Sequence, residues 1–217
     1  ANMLRVTADI WDRASARDKA FEAWKRWQGR ECPGFWIDLD MIPFGQLLLM
    51  SPKEHARPGS ASLAGFGYNR RCQLSQDQMR TFITQRAMAA SPLMMGGDLP
   101  SLDDFSLGLI TNPRLLACDQ NGVMGVQVFE KDGIEAWHTS RKDAYGEGWL
   151  GVFNRTAEAR TVRLGPRELG LAAWPDCRLK EIWGNGDYTF GEGHEWSVPA
   201  GGVVFLEFAA TDQPGRG

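Results

Sequence analysis

The stretch Arg5-Val6-Thr7-Ala8-Asp9-Ile10-Trp11-Asp12 is an apolar run that carries a guanidinium and two carboxylates within eight residues. A second run, Gly34-Phe35-Trp36-Ile37-Asp38-Leu39-Asp40, closes on two carboxylates in the same way. A carboxyl at the end of a short strand can act as a general acid or base, or it can cap the helix that follows. Metal chemistry has less support, because His55, His138 and His194 show no ligand spacing and no metal site is expected. Cys32, Cys72, Cys118 and Cys177 form no CxxC pair and read as buried free thiols rather than a disulfide frame, which leaves the compartment open. Asn154-Arg155-Thr156 matches a glycosylation acceptor but stands at a strand end, where it reads as a turn.

The elements that must carry these residues alternate in type. Residues 3 to 8 predict a short buried strand with Asp9 at its carboxyl end, and a helix follows from Asp12 or Ser15, with Ala20, Phe21, Trp24 and Trp27 as its apolar stripe and Gly29 as its stop. Gly34 to Asp38 predicts the next strand, and residues 51 to 73, rich in Pro, Gly, Ser and Arg, predict a long functional loop. Ser75-Gln76-Asp77-Gln78 has the form of a capping box, opening a helix with Met79, Phe82, Ile83 and Ala87 inward until Ser91-Pro92. Leu93-Met94-Met95 predicts a third strand. A further helix is expected from Ser101 to Leu109, with Asp98, Asp103 and Asp104 at its start. Strands alternating with helices imply a parallel α/β arrangement.

After about Gln120 the pattern changes to short alternating segments such as Val126–Phe129, Ala136–Thr139, Gly148–Phe153, Thr161–Leu164, Leu179–Trp183 and Val203–Phe208. Turns such as Lys131-Asp132-Gly133 and Gly184-Asn185-Gly186 separate them, and the expected architecture is an antiparallel β-sandwich. Residues 1–120 and 121–217 therefore read as two domains.

Composition bounds the class. The 217 residues are 43% hydrophobic and 24% charged with a formal net charge of −3, which suits a globular chain and gives no basic stripe for nucleic acid. No apolar window is long enough to span a membrane, and no leader pattern opens the chain, so export is expected only if a signal once preceded it. Most of the nine Trp are read as core.

A closed (β/α)₈ barrel needs about 250 residues, so the first 120 can supply only three or four of its units and would leave an open arc with exposed parallel edges. The chain is therefore expected to begin inside a domain, its upstream strands lying elsewhere. At this point four stretches resemble the α-galactosidase (melibiase) enzymes of glycoside hydrolase families 27 and 36. They are Arg5–Asp12, Gly34–Gly45, Ser91–Leu99, and Leu109–Pro113 continuing to Asp119-Gln120; Val152–Thr156 resembles that family's carboxyl-terminal sandwich. The resemblance implies the carboxyl-terminal part of a TIM barrel, about strands six to eight, followed by the sandwich.

It also implies roles. Asp9 would be the general acid/base, Arg5 would bind the sugar and hold Asp9, and Met41 would line the sugar pocket with Trp36, while Asp38 and Asp40 order the strand end. The implied reaction is retaining, exo-acting hydrolysis of terminal α-galactosides, with no metal or organic cofactor. A retaining glycosidase needs a second carboxylate as nucleophile, which that family carries in a Lys-x-Asp motif on an earlier strand. No Lys here has an Asp two residues later. The expected partners are thus an α-galactoside or related sugar and the amino-terminal half of the barrel, in the same or a separate polypeptide. The competing reading is a catalytically silent carbohydrate-binding or assembly fragment that docks on another chain.

Overall fold

The computed structural model describes residues 2–30, 32–47, 70–174 and 176–211; most of the 51–73 loop, His55 included, lies outside them. Strands Met3–Arg5 (β1) and Trp36–Asp38 (β2) pair in parallel, with Met3 opposite Trp36 and Arg5 opposite Asp38. Helix Ala14–Trp27 (α1) connects them and buries Ala20, Phe21 and Trp24. Gly29, at φ 72, ends it in the left-handed conformation that costs glycine no side-chain clash. The expectation of a buried first strand is corrected: all three residues of β1 are exposed, and Met3, Leu4 and Trp36 present apolar surface on this pair.

Beyond β2 the chain leaves regular pairing. Ile42 bridges in parallel to Met95, so the predicted third strand at 93–95 is reduced to a single bridge. The reason lies in the packing of residues 41–46 against 94–98: a Cβ on Gly97 would stand 1.6 Å from the Phe44 carbonyl oxygen, and one on Gly96 2.1 Å from the Met41 sulfur. The two backbones approach too closely there for side chains to alternate. Short strands Gln46–Leu47 (β3) and Arg70–Arg71 (β4) pair antiparallel at the two ends of the undescribed segment.

Helix Gln76–Met88 (α2) carries the capping box read from the sequence: the Ser75 hydroxyl accepts from the Gln78 N–H while the Gln78 side chain accepts from the Ser75 N–H. A 3₁₀ turn at Leu99–Ser101 precedes helix Asp104–Ile110 (α3), so the helix expected from Ser101 starts later, where the Asp103 carboxylate takes the Ser106 N–H. Asp98 makes no side-chain cap. Helix Pro113–Gln120 (α4) was not anticipated, although Asn112-Pro113 is a cap followed by proline at the first helical position.

The second half is a six-stranded antiparallel sheet built from Val126–Lys131 (β5), Ile134–Ser140 (β6), Glu147–Asn154 (β7), Cys177–Glu181 (β9), Asp187–Phe190 (β10) and Val203–Ala210 (β12), in the order β10-β9-β12-β7-β6-β5. Arg160–Leu164 (β8) and His194–Val198 (β11) form a separate antiparallel pair. β10 and β11 had not been singled out in the sequence.

Period-two alternation decides what each face covers. In β12, Val203 and Phe205 point into a core shared with α1 and α2, while Leu206 and Phe208 point into a second core with Leu164, Trp196 and Val198 of the β8–β11 pair. The sandwich thus has one full layer and one two-stranded layer, and helices cover the full layer's other face. Trp24 of α1 stacks on Trp137 of β6 at 3.6 Å between ring centroids, and its indole N–H donates to the Gly125 carbonyl. Arg155 lies over the Phe21 ring and bonds both Asp18 of α1 and Glu135 of β6. Residues before and after 120 therefore share one hydrophobic core.

Asn154 is fully buried: its amide donates to the Glu158, Val198 and Pro199 carbonyls, and its oxygen accepts from the Thr156 N–H and hydroxyl. That engagement supports the turn reading of the Asn-Arg-Thr triplet. The four cysteines are free, but only Cys118 and Cys177 are buried; Cys32 is exposed and Cys72 half-buried.

Candidate active site

The carboxyl ends of β1 and β2 bring Arg5, Asp9, Asp38 and Asp40 into one cluster. Arg5 Nη2 lies 2.6 Å from Asp40 Oδ2 and 3.3 Å from Asp9 Oδ1, so one guanidinium bridges two carboxylates carried by the segments that follow β1 and β2. Asp40 Oδ2 also accepts the backbone N–H of Ile10 at 2.6 Å, which ties the segment just after Asp9 to the end of β2. The Asp40 N–H in turn donates to Asp38 Oδ1 at 2.7 Å. Asp40 has φ 72, a left-handed conformation that short polar Asp tolerates better than most residues and that is held here by these bonds. Asp9 itself stands open, with its side chain 86% exposed.

Beneath the cluster lies a residue to which the sequence had assigned no role. Arg86 of α2 is fully buried; its guanidinium donates to the Leu39 carbonyl at 2.8 Å and the Asp40 carbonyl at 3.3 Å and rests on the Phe82 ring, 3.5 Å from its centroid. Burial pulls Arg86 down to about 9, against the pull of the Asp40 and Asp38 carboxylates, and it remains a cation at neutral pH. The signal was present in the sequence: Arg86 stands four residues after Phe82, on the helix face that carries Met79, Phe82, Ile83 and Ala87.

The other two predicted site residues are placed differently. Met41 follows Asp40 directly and packs half-buried over Gly96, next to the cluster. Trp36 stands at the opposite end of β2 from Asp38 and Asp40, on the border of a cleft of about 620 Å³ that Ala90, Pro92, Asp119 and Lys142 also line. The structure therefore gathers Arg5, Asp9 and Met41 but sets Trp36 apart.

Burial pushes the Asp119 carboxyl in that cleft up to about 7. A raised carboxyl holds a proton in the folded chain that the unfolded chain has already released, so stability should fall as pH rises from about 4 to 7. Asp119→Asn is expected to flatten that slope and to stabilise the chain at pH 8 by about 1–3 kcal/mol, after a discount for the water that reaches the cleft. Urea unfolding at pH 5 and pH 8 checks it, and equal gains at both values would contradict it.

Asp12, at the entry to α1, has a different task. Burial opposes its charge, but the two-pronged Arg70 guanidinium, at 2.6 and 2.8 Å, and the Gln73 N–H at 2.7 Å outweigh that cost and hold the carboxyl below its ordinary value. It ties Arg70 and Gln73 to the entry of α1 and is not part of the Arg5 cluster. His138 is buried between the Leu169 carbonyl and the Ser140 hydroxyl, and burial lowers it, as suits a neutral structural ring. Among the described residues no cluster of His, Cys, Asp and Glu has the arrangement of a metal site, and no helix is long and apolar enough to cross a membrane.

No protein-family model matches the chain. The chain is similar to α-galactosidase 2 of Arabidopsis thaliana, 23% identical over 192 residues that make up 87% of this chain and 41% of that protein. Its fold matches a GH27 β-L-arabinopyranosidase from Geobacillus stearothermophilus at a TM-score of 0.82 and 26% identity, covering 99% of this chain and 46% of that one; a variant of the same enzyme has been solved with arabinose. An α-galactosidase from Saccharomyces cerevisiae solved with raffinose shares the fold, at a TM-score of 0.73 and 13% identity. The resemblance to α-galactosidase-type glycoside hydrolases thus extends over nearly the whole chain, which spans less than half the length of the Arabidopsis and Geobacillus proteins.

Proposed function

We propose that this chain is the acid/base-bearing portion of a retaining, exo-acting glycoside hydrolase that cleaves terminal α-galactosides or the closely related β-L-arabinopyranosides. The observation that carries the reading is the Arg5–Asp9–Asp40 constellation at the carboxyl ends of β1 and β2 in a chain with GH27-like relatives. In this reading Asp9 protonates the leaving-group oxygen in the first step and, once ionised, draws a proton from water in the second. A carboxylate about 5 to 5.5 Å away attacks the anomeric carbon from the other face. That nucleophile comes from upstream barrel strands beyond this chain, since no Lys-x-Asp stands in it.

Two features support an upstream half. Asp9 is open to water, whereas a proton-donating carboxyl works best in a partly desolvated pocket. Met3 and Leu4, 45% and 42% exposed, lie on the strand that further barrel strands would adjoin. Met41 then forms part of the sugar-facing wall. Trp36, at the other end of β2, borders a separate cleft.

The test is hydrolysis of p-nitrophenyl α-D-galactopyranoside and p-nitrophenyl β-L-arabinopyranoside by the protein together with its barrel half, and again after Asp9→Ala. Turnover of either substrate that the substitution removes supports the reading. Sugar binding without turnover in the assembled protein would favour a silent carbohydrate-binding fragment instead.

A further inference from the structure

We infer that Arg86 is a positioning residue for Asp9, acting from the opposite side of the β2 end through Asp40. The inference rests on the reading of Asp9 as the acid/base. A chain of contacts connects the two residues. Arg86 donates to the carbonyls of Leu39 and Asp40 and so holds the peptides on both sides of the Asp40 Cα. The Leu39 N–H is taken by the Ser91 hydroxyl at 2.9 Å, and the Asp40 N–H by Asp38, which leaves this turn little freedom. With its backbone held at φ 72, Asp40 aims Oδ2 at both the Ile10 N–H and Arg5 Nη2. Ile10 is the residue after Asp9, and Arg5 is the cation that Asp9 faces, so both restraints on Asp9 pass through one carboxylate oxygen.

The arrangement explains why a guanidinium is buried in α2. A buried arginine is costly unless each donor is engaged. Here Nη1 also reaches the Phe82 carbonyl and the Gln85 side chain, and the guanidinium face rests on the Phe82 ring. An aliphatic residue would fill the space but leave the Leu39 and Asp40 carbonyls without donors, freeing the turn to relax out of its left-handed conformation. The groups around the clamp are Asp38 and Asp40 from the β2 end, Arg5 from β1, Asp9 beyond it, and Gln85 on Arg86's own helix. Asp9 is therefore the outer member of a charge relay in space, with alternating signs from Arg86 through Asp40 and Arg5.

The experiment is amide hydrogen exchange on the 217-residue chain, read at Ile10, with the β7 amides of Leu150 and Val152 as the reference for an intact fold. Arg86→Met is expected to speed exchange at Ile10 at least tenfold while the β7 amides keep their rates. Arg86→Lys retains the charge but reaches fewer acceptors, so it should give a smaller increase at Ile10, and it serves as the readout if the methionine variant does not fold. Unchanged Ile10 exchange in either folded variant overturns the inference. In the assembled enzyme, Arg86→Lys should lower kcat about tenfold with KM nearly unchanged, because the sugar contacts stay while the proton donor is misplaced. A wild-type protein that hydrolyses nothing would defeat the enzymatic reading, whereas the Ile10 result would still decide whether Arg86 positions this segment.

Discussion

On the proposed acid/base reading, Asp9→Ala should reduce kcat/KM for an alkyl α-galactoside by about 10²–10⁴-fold in the assembled enzyme, the usual contribution of a general acid. An alkoxide leaves poorly without a proton, so the first step bears the full loss. A p-nitrophenolate needs little protonation to depart, and with that substrate kcat/KM should fall much less. Its kcat should still collapse, because water attacking the galactosyl-enzyme has lost its base. Azide needs no base, so adding it should restore turnover and yield the α-configured galactosyl azide, the product of two successive inversions. Substrate dependence of this kind separates a proton donor from a residue that merely supports the fold. Equal losses on both substrates with no azide rescue would remove Asp9 from the acid/base role.

Trp137→Ala should destabilise the chain by about 3–5 kcal/mol, the range for deleting a large buried aromatic. Trp137 is fully buried; its ring stacks on Trp24 and its indole N–H donates to Glu135 at 2.9 Å. Glu135 in turn holds Arg155, which reaches Asp18 on α1 and covers Phe21. The substitution therefore opens a cavity at the seam between the helices and the six-stranded sheet and loosens the ion network beside it. Because the two halves share this core, urea should unfold them in one transition, read identically by far-ultraviolet dichroism and by tryptophan fluorescence. Two separated transitions, with the variant affecting only one, would show that the halves fold independently.

Much of the local structure was legible because short-range physics decides it. The Ser75 capping box, the stop at Gly29 and the strands β7 and β12 each depend on a few neighbouring residues, and each is found where the sequence points. Boundaries were less legible where tertiary contacts compete with propensity. The helix expected at Ser101 begins at Asp104, because the Ser101 hydroxyl turns to the Asp98 carbonyl and accepts the Gln46 N–H. The 93–95 segment scarcely forms a strand, because Gly96 and Gly97 draw it against Met41 and Phe44.

By itself the sequence determined the kinds of elements, their order, the change of pattern near residue 120, and a spacing of Arg5 and Asp9 that resembles the α-galactosidases. Period and capping are properties of adjacent residues, which is why they can be read without a fold. Only the tertiary structure decided that Asp40, 35 positions after Arg5, closes its ion pair, that Arg86 on a later helix supports that turn from below, and that Trp36 stands away from the cluster. Such contacts join residues distant in the chain, and their geometry exists only once β1, β2 and α2 have packed.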